Sequence, residues 1–240
     1  MFNLSGMNAL VSGGSNGIGR AISIALANQG ANITITGRNE NALKDVSERI
    51  SAKYIVCDFR DKSSVESLIN QLSEIKFDIL VNNAGMTKDQ ILWRSKREDF
   101  EEILNVNLLS AYELCKHFSM GMCSRRFGRI INISSVIGTL MGNAGQTHYG
   151  ASKAALVGFS KCLAQELAAK GVTVNCLAPG FVETNMTKII SDEMQQKILA
   201  NIPMKRFGSV DEIASSVVYL ASKESSYITG QVISISGGLV

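Results

Sequence analysis

Short β-branched apolar runs alternate with longer stretches of helical periodicity along the whole chain, and this alternation limits the possible folds more than any other feature. Residues 9–12, 32–36, 54–57, 79–81, 129–133, 173–177 and 231–235 read as strands bounded by turn residues. Residues 18–29, 41–50, 64–73, 100–123, 151–169 and 210–221 space their apolar side chains three and four apart, as helices with one buried face require. The repetition predicts an α/β fold: a doubly wound, seven-stranded parallel sheet with helices on both faces, right-handed crossovers and ligands at the carboxyl ends of the strands. No Pro/Ser-rich linker or block of charge divides the chain, so residues 1–240 are expected to form one domain.

A fold of this kind needs a large core, and 45% hydrophobic against 19% charged residues supplies one. The 24 Lys and Arg exceed the 21 Asp and Glu by a net charge of only +3, too small an excess for nucleic-acid binding by bulk electrostatics, and no such partner is expected. Polar or charged residues interrupt every apolar run well before the roughly 18 residues of a membrane span, so no membrane association is expected. Residues 1–19 contain no Lys or Arg, which argues against a secretory signal and for a cytoplasmic location. Five scattered cysteines fit reduced thiols. His117 and His148 fall in no ligand-spaced cluster, and no metal site is expected.

The one long interruption of the alternation is residues 180–204, flanked by Pro179 and Pro203. It mixes Thr184, Met186, Met194 and Ile202 with charges at helical spacing. An insertion at the carboxyl end of a strand reads equally as a substrate lid or as a solvated helical hairpin.

Directly after the first strand stands Ser12-Gly13-Gly14-Ser15-Asn16-Gly17-Ile18-Gly19, with a helix following at once. Gly13 permits a tight turn, Gly17 lets backbone approach a pyrophosphate, and Gly19 allows close helix–strand packing at an amino terminus that favours anions. After the second strand comes Arg38, where a dinucleotide-binding fold tests the adenosine ribose. A guanidinium there suits a 2′-phosphate, and so NADP(H), better than a free diol. Asp58 and Phe59 follow the third strand, and Asn82-Asn83-Ala84-Gly85 closes the fourth; capping or turn formation would also account for Asp58 and the asparagines.

Ser134-Ser135 ends the fifth strand, and Tyr149-x-x-x-Lys153 opens the helix after it. A spacing of four places phenol and ammonium on one helix face. A free phenol titrates near about 10, and a neighbouring ammonium is expected to lower that value and so make the hydroxyl a proton donor. Ser135 is placed to hydrogen-bond a substrate oxygen.

With these motifs in this order, together with Asn107 and Pro179-Gly180, the chain resembles the short-chain dehydrogenase/reductase family over essentially its whole length. Within it, residues 78–87, Gly128-Arg129-Ile130-Ile131, residues 178–184 and Tyr227-Ile228-Thr229-Gly230-Gln231 are similar to the bacterial β-ketoacyl-[acyl carrier protein] reductases. The resemblance implies a Rossmann-type fold, NADPH/NADP+ as cofactor, and a catalytic tetrad of Asn107, Ser135, Tyr149 and Lys153. It implies that Gly13, Ser15, Asn16, Gly17, Ile18, Arg38, Asp58, Phe59, Asn83, Gly85, Tyr149, Lys153, Val182 and Thr184 line the cofactor. It implies reduction of a 3-oxoacyl thioester in fatty-acid elongation, with acetoacetyl-CoA and polyol or steroid substrates as alternatives and an inert dinucleotide sensor as the non-enzyme one. It also implies a homotetramer, for which Met120, Met122, Phe159 and Leu163 are candidate contacts. Acyl carrier proteins are acidic, and Arg125, Arg126, Arg129 and Lys170 form the candidate docking patch. Asn16 departs from the basic residue common in NADP-preferring relatives, so cofactor choice rests mainly on Arg38.

Overall fold

The computed structural model describes residues 1–184 and 191–240. Its sheet is built from β1 (Asn8–Ser12), β2 (Asn32–Gly37), β3 (Lys53–Val56), β4 (Ile79–Asn82), β5 (Gly128–Ile133), β6 (Val172–Pro179) and β7 (Val232–Ile235). The seven strands run in the order β3-β2-β1-β4-β5-β6-β7, every pairing parallel. The expected doubly wound sheet is present.

Strand residues alternate between two cores, which is why the strands read as unbroken apolar runs. Val11, Val81 and Ile131 face one core with Ile22 and Leu26 of α1 (Gly17–Asn28) and Ile213 and Val217 of α8 (Val210–Ala221). Their neighbours Leu10, Leu80 and Ile130 face the other, with Leu68 of α3 (Lys62–Leu72), Leu114 and Phe118 of α5 (Ser110–Arg125) and Ala164 of α6 (Thr147–Leu167). Burial on both faces at period two is the signature of a covered parallel sheet. Helix α2 (Glu40–Ile50) covers the β2–β3 edge, its Asn39 side chain accepting from the Ala42 amide, and Ser209 and Glu212 form a reciprocal capping box on α8.

The helix expected over residues 100–123 is three pieces: α4 (Arg97–Leu104), a π-helical turn (Asn105–Leu109) and α5. Periodicity alone did not reveal the break, because one extra residue in a turn leaves both flanks amphipathic. The cause lies in Asn107, which is buried and tied off the helix axis by bonds described below. Of residues 180–204, Val182 bridges Gly208 and α7 (Asp192–Asn201) is helical. Residues 185–190, with Met186, lie outside the described residues. No helix among the described residues is long and apolar enough to cross a membrane.

Candidate active site

Strand order reverses between β1 and β4, so the chain leaves their carboxyl ends in opposite directions and opens a crevice there. A cavity of about 520 Å³ occupies it, lined by all fourteen residues expected to contact a cofactor and by Ser135. Asn107 stands just behind its wall.

The floor is the glycine-rich turn. Gly13 sits at φ +66, and a Cβ there would lie 2.9 Å from Asn83 Nδ2; a Cβ on Gly19 would lie 2.1 Å from the Gly13 carbonyl oxygen. Asn83 braces the turn by donating from Nδ2 to the Ser12 and Gly13 carbonyls at 3.0 and 3.1 Å, while Ser12 Oγ accepts the Asn83 and Ala84 amides, each at 3.0 Å. The first turn of α1 has no side-chain cap and no acid, so its amides and partial positive charge face the cavity. This cradle, which a Cβ would fill, suits the pyrophosphate of a dinucleotide. Thr184 stands over it, its Cγ2 3.6 Å from where a Gly17 Cβ would be.

Arg38 borders the cavity beyond β2, and Asp58 beyond β3. The Asp58 carboxylate is forked by Arg60, with Nε 3.0 Å from both oxygens, and that bond first of all holds the carboxyl below its usual range. Phe59 borders the cavity from within the core, only 6% exposed. Arg60, Thr87, Gln146 and Phe181 also line the space and were not singled out from the sequence. Gln146 is held by Asp89 at 2.9 Å, and the Gln90 amide bonds the Gly145 carbonyl at 2.8 Å, so the loops after β4 and β5 are joined at the mouth.

Ser135, Tyr149 and Lys153 converge on the inner wall. Tyr149 and Ser135 line the cavity together, and Ser135 Oγ accepts the Ile137 amide at 3.1 Å. Lys153 Nζ donates to the Ile133 carbonyl at 2.8 Å and lies 5.7 Å from the Tyr149 ring centroid. Asn107 Oδ1 accepts the Met86 amide at 2.8 Å, and its Nδ2 donates to the Met86 carbonyl at 3.0 Å and to Ser152 Oγ at 2.9 Å. A Cβ on Gly85 would lie 3.3 Å from Lys153 Nζ and 3.5 Å from Asn107 Oδ1, so glycine keeps open the gap those two atoms border.

The electrostatics correct one expectation. Burial raises the Tyr149 phenol above its ordinary value, the neighbouring Ser135 hydroxyl opposing it only in part. Burial also drives Lys153 down, from 10.5 to about 8. The expected lowering of Tyr149 by the ammonium does not appear, because desolvation of both groups outweighs their mutual attraction at that separation.

The docking patch and the interhelical contacts need correction too. Arg129 is 3% exposed, its Nε on the Ser222 carbonyl at 3.1 Å and its Nη1 on the Gly128 carbonyl at 2.9 Å, with the guanidinium over the Phe127 ring. It is a core residue and offers no surface to a partner. Arg125 donates to the Phe77 carbonyl and lies 3.4 Å from Asp78. Arg126 bonds the Ala169 carbonyl at 3.3 Å, beside Lys170, so these two do come together. Met122 is fully buried and cannot be a surface contact, whereas Met120 is exposed.

The protein-family model described as Enoyl-(Acyl carrier protein) reductase matches residues 13–240. The 3-oxoacyl-[acyl-carrier-protein] reductase of Escherichia coli is 46% identical over 241 residues, covering 99% of this chain and 98% of that protein. The enzyme of the same description from Rickettsia bellii is 43% identical, covering 100% and 99%. Among solved structures, a putative NAD(P)-dependent gluconate 5-dehydrogenase from Beutenbergia cavernae with bound NADP superposes with a TM-score of 0.95 at 35% identity, covering 99% of this chain and 98% of that one.

Proposed function

We infer that this chain, which belongs to the short-chain dehydrogenase/reductase family, catalyses NADPH-dependent reduction of 3-oxoacyl-[acyl carrier protein] to the 3-hydroxyacyl form in fatty-acid elongation. The observation that carries the chemistry is the convergence of Ser135, Tyr149 and Lys153 on the wall of a cavity whose floor is a glycine cradle. Bound NADPH supplies the hydride. The turn at Gly13, Ser15, Asn16, Gly17 and Ile18 would hold its pyrophosphate, Arg38 its 2′-phosphate, and Asp58 and Phe59 the adenine end. Asn83, Gly85, Val182 and Thr184 would complete the nicotinamide side.

Ser135 and Tyr149 would hold the 3-oxo oxygen, and Tyr149 would give up its proton as the carbon is reduced, so that charge does not build on oxygen. Burial keeps the phenol in the protonated form that must give up that proton. Lys153 would return that proton and hold the nicotinamide ribose. Asn107 would keep a water in the gap beside Gly85, from which Lys153 is resupplied. Cytoplasmic location and a four-copy assembly through α5 and α6, where Met120 and Tyr112 are exposed, belong to the same reading.

Carrier docking falls to Arg126 and Lys170, which precede β5 and β6 at the amino edge of the sheet. The cavity opens at the carboxyl edge, so a carrier held there would deliver its thioester to a neighbouring copy.

A turnover panel tests the reading. Carrier-bound and CoA-bound 3-oxoacyl, enoyl-thioester and gluconate substrates are each assayed with NADPH and NADH. The 3-oxoacyl carrier substrate with NADPH should be fastest; faster turnover of the enoyl thioester or of a polyol would replace this assignment.

A further inference from the structure

The turn from Ser12 to Gly19 contains no cation, so Arg38 carries recognition of a 2′-phosphate unless another residue assists. Arg38 makes no hydrogen bond or ion pair among the described residues, although Asp58, a carboxylate on the same cavity wall, lies close enough to feel its charge. A carboxylate and a guanidinium facing one pocket would ordinarily pair, which would mask the cation and place negative charge beside an incoming dianion.

Arg60 prevents this. Its Nε sits 3.0 Å from both Asp58 oxygens, and its own amide donates to Oδ1 at 3.0 Å. Its Nη1 lies 3.8 Å from Glu102 of α4, whose carboxylate is also paired with Lys88. The guanidinium is therefore held from two sides with Asp58 in its fork.

Building on the NADPH reading above, we propose that Arg60 is a positioning residue for cofactor choice: by engaging Asp58 it leaves the Arg38 guanidinium free for the 2′-phosphate. Arg60 acts through Asp58 and Arg38, so its removal should be felt by NADPH and hardly by NADH, which lacks that phosphate. Removing the Asp58 charge as well should undo the effect.

Dissociation constants for NADPH and NADH, measured by titration calorimetry at fixed ionic strength, test this with wild type, Arg60→Ala, Asp58→Asn and the double variant. Arg60→Ala should lower the NADPH-to-NADH affinity ratio by about tenfold, the size of one lost charge-assisted contact. The double variant should return that ratio to within about twofold of wild type, whatever both variants lose in common toward the adenine. Retained NADH binding reports that each variant is folded. An unchanged ratio in Arg60→Ala overturns the proposal, as does a double variant as impaired as the single one, which would mean that Arg60 meets the phosphate itself. A wild type that binds NADH as tightly as NADPH would overturn the NADPH reading, and this proposal with it.

Discussion

Replacing Lys153 by Met should make the protein more stable while removing a group assigned to proton transfer. The amine is buried and titrates at about 8, against the ordinary 10.5. Folded chains therefore bind this proton less readily than unfolded ones, and at pH 7 the difference costs about 3 kcal/mol of stability. The sign follows from the lowered value. The cost is full below pH 8, shrinks as pH rises toward 10.5, and is about 1 kcal/mol at pH 10. Against it stands the bond from Nζ to the Ile133 carbonyl, 2.8 Å long, whose loss costs about 1–2 kcal/mol. Methionine fills a similar volume, so the variant should gain about 1–2 kcal/mol at pH 7.

Alkali also acts on Cys57, Cys115 and Tyr149, whose values burial raises, Cys115 to about 12, and these weaken the fold at high pH in both proteins alike. Cys176, raised by burial but held down in part by the Lys153 charge, should rise further in the variant and add to the shift in favour of wild type. The quantity to measure is therefore the difference between wild type and variant, from urea unfolding at one protein concentration between pH 7 and 10. That difference should move by about 2 kcal/mol in favour of wild type across the interval. A difference that stays flat, or a variant less stable than wild type at pH 7, would refute the reasoning.

Tyr149→Phe should lower turnover by about 10²–10⁴-fold with NADPH affinity unchanged, checked by steady-state kinetics beside calorimetry. Gly19→Ala puts a Cβ 2.1 Å from the Gly13 carbonyl oxygen and 2.4 Å from Asn83 Nδ2, so it should break the brace and cost about 2–4 kcal/mol in urea unfolding. Gly17→Ala meets only Thr184, at an ordinary contact distance of 3.6 Å, and at φ +51 should cost about 1–2 kcal/mol for its left-handed backbone. Arg126→Glu should raise KM for a carrier-bound thioester several-fold and leave a CoA thioester unaffected, with the effect fading as salt rises.

The sheet was legible because the inner strands are buried on both sides and each helix on one, so hydrophobic period separated them. The candidate site was legible for a different reason. Its glycines and Arg38 stand at strand ends and the Tyr149/Lys153 pair in the first turns of α6, where a doubly wound fold brings distant segments together. Most of what stayed hidden depended on partners far away in sequence. The π-helical turn exists because Asn107 is tied to Met86 and Ser152. Arg129 reads as one of a surface cluster, yet its partner is the Ser222 carbonyl, 93 residues on. Arg60 escaped notice because nothing local distinguishes a cation that grips Asp58 from one that meets solvent. The direction of the Tyr149 shift required knowing its depth, which spacing does not report.

The surplus residue between α4 and α5 is taken up within one π turn, so the helix beyond keeps the phase of a regular helix one residue shorter. Deleting one position from 105 to 109 would let a regular α-helix run from α4 into α5, with each following side chain keeping its facing. Leu114 and Phe118 would stay in the core, and the loss would fall on the turn itself, where Asn107 reaches Met86 and Ser152 beside Lys153.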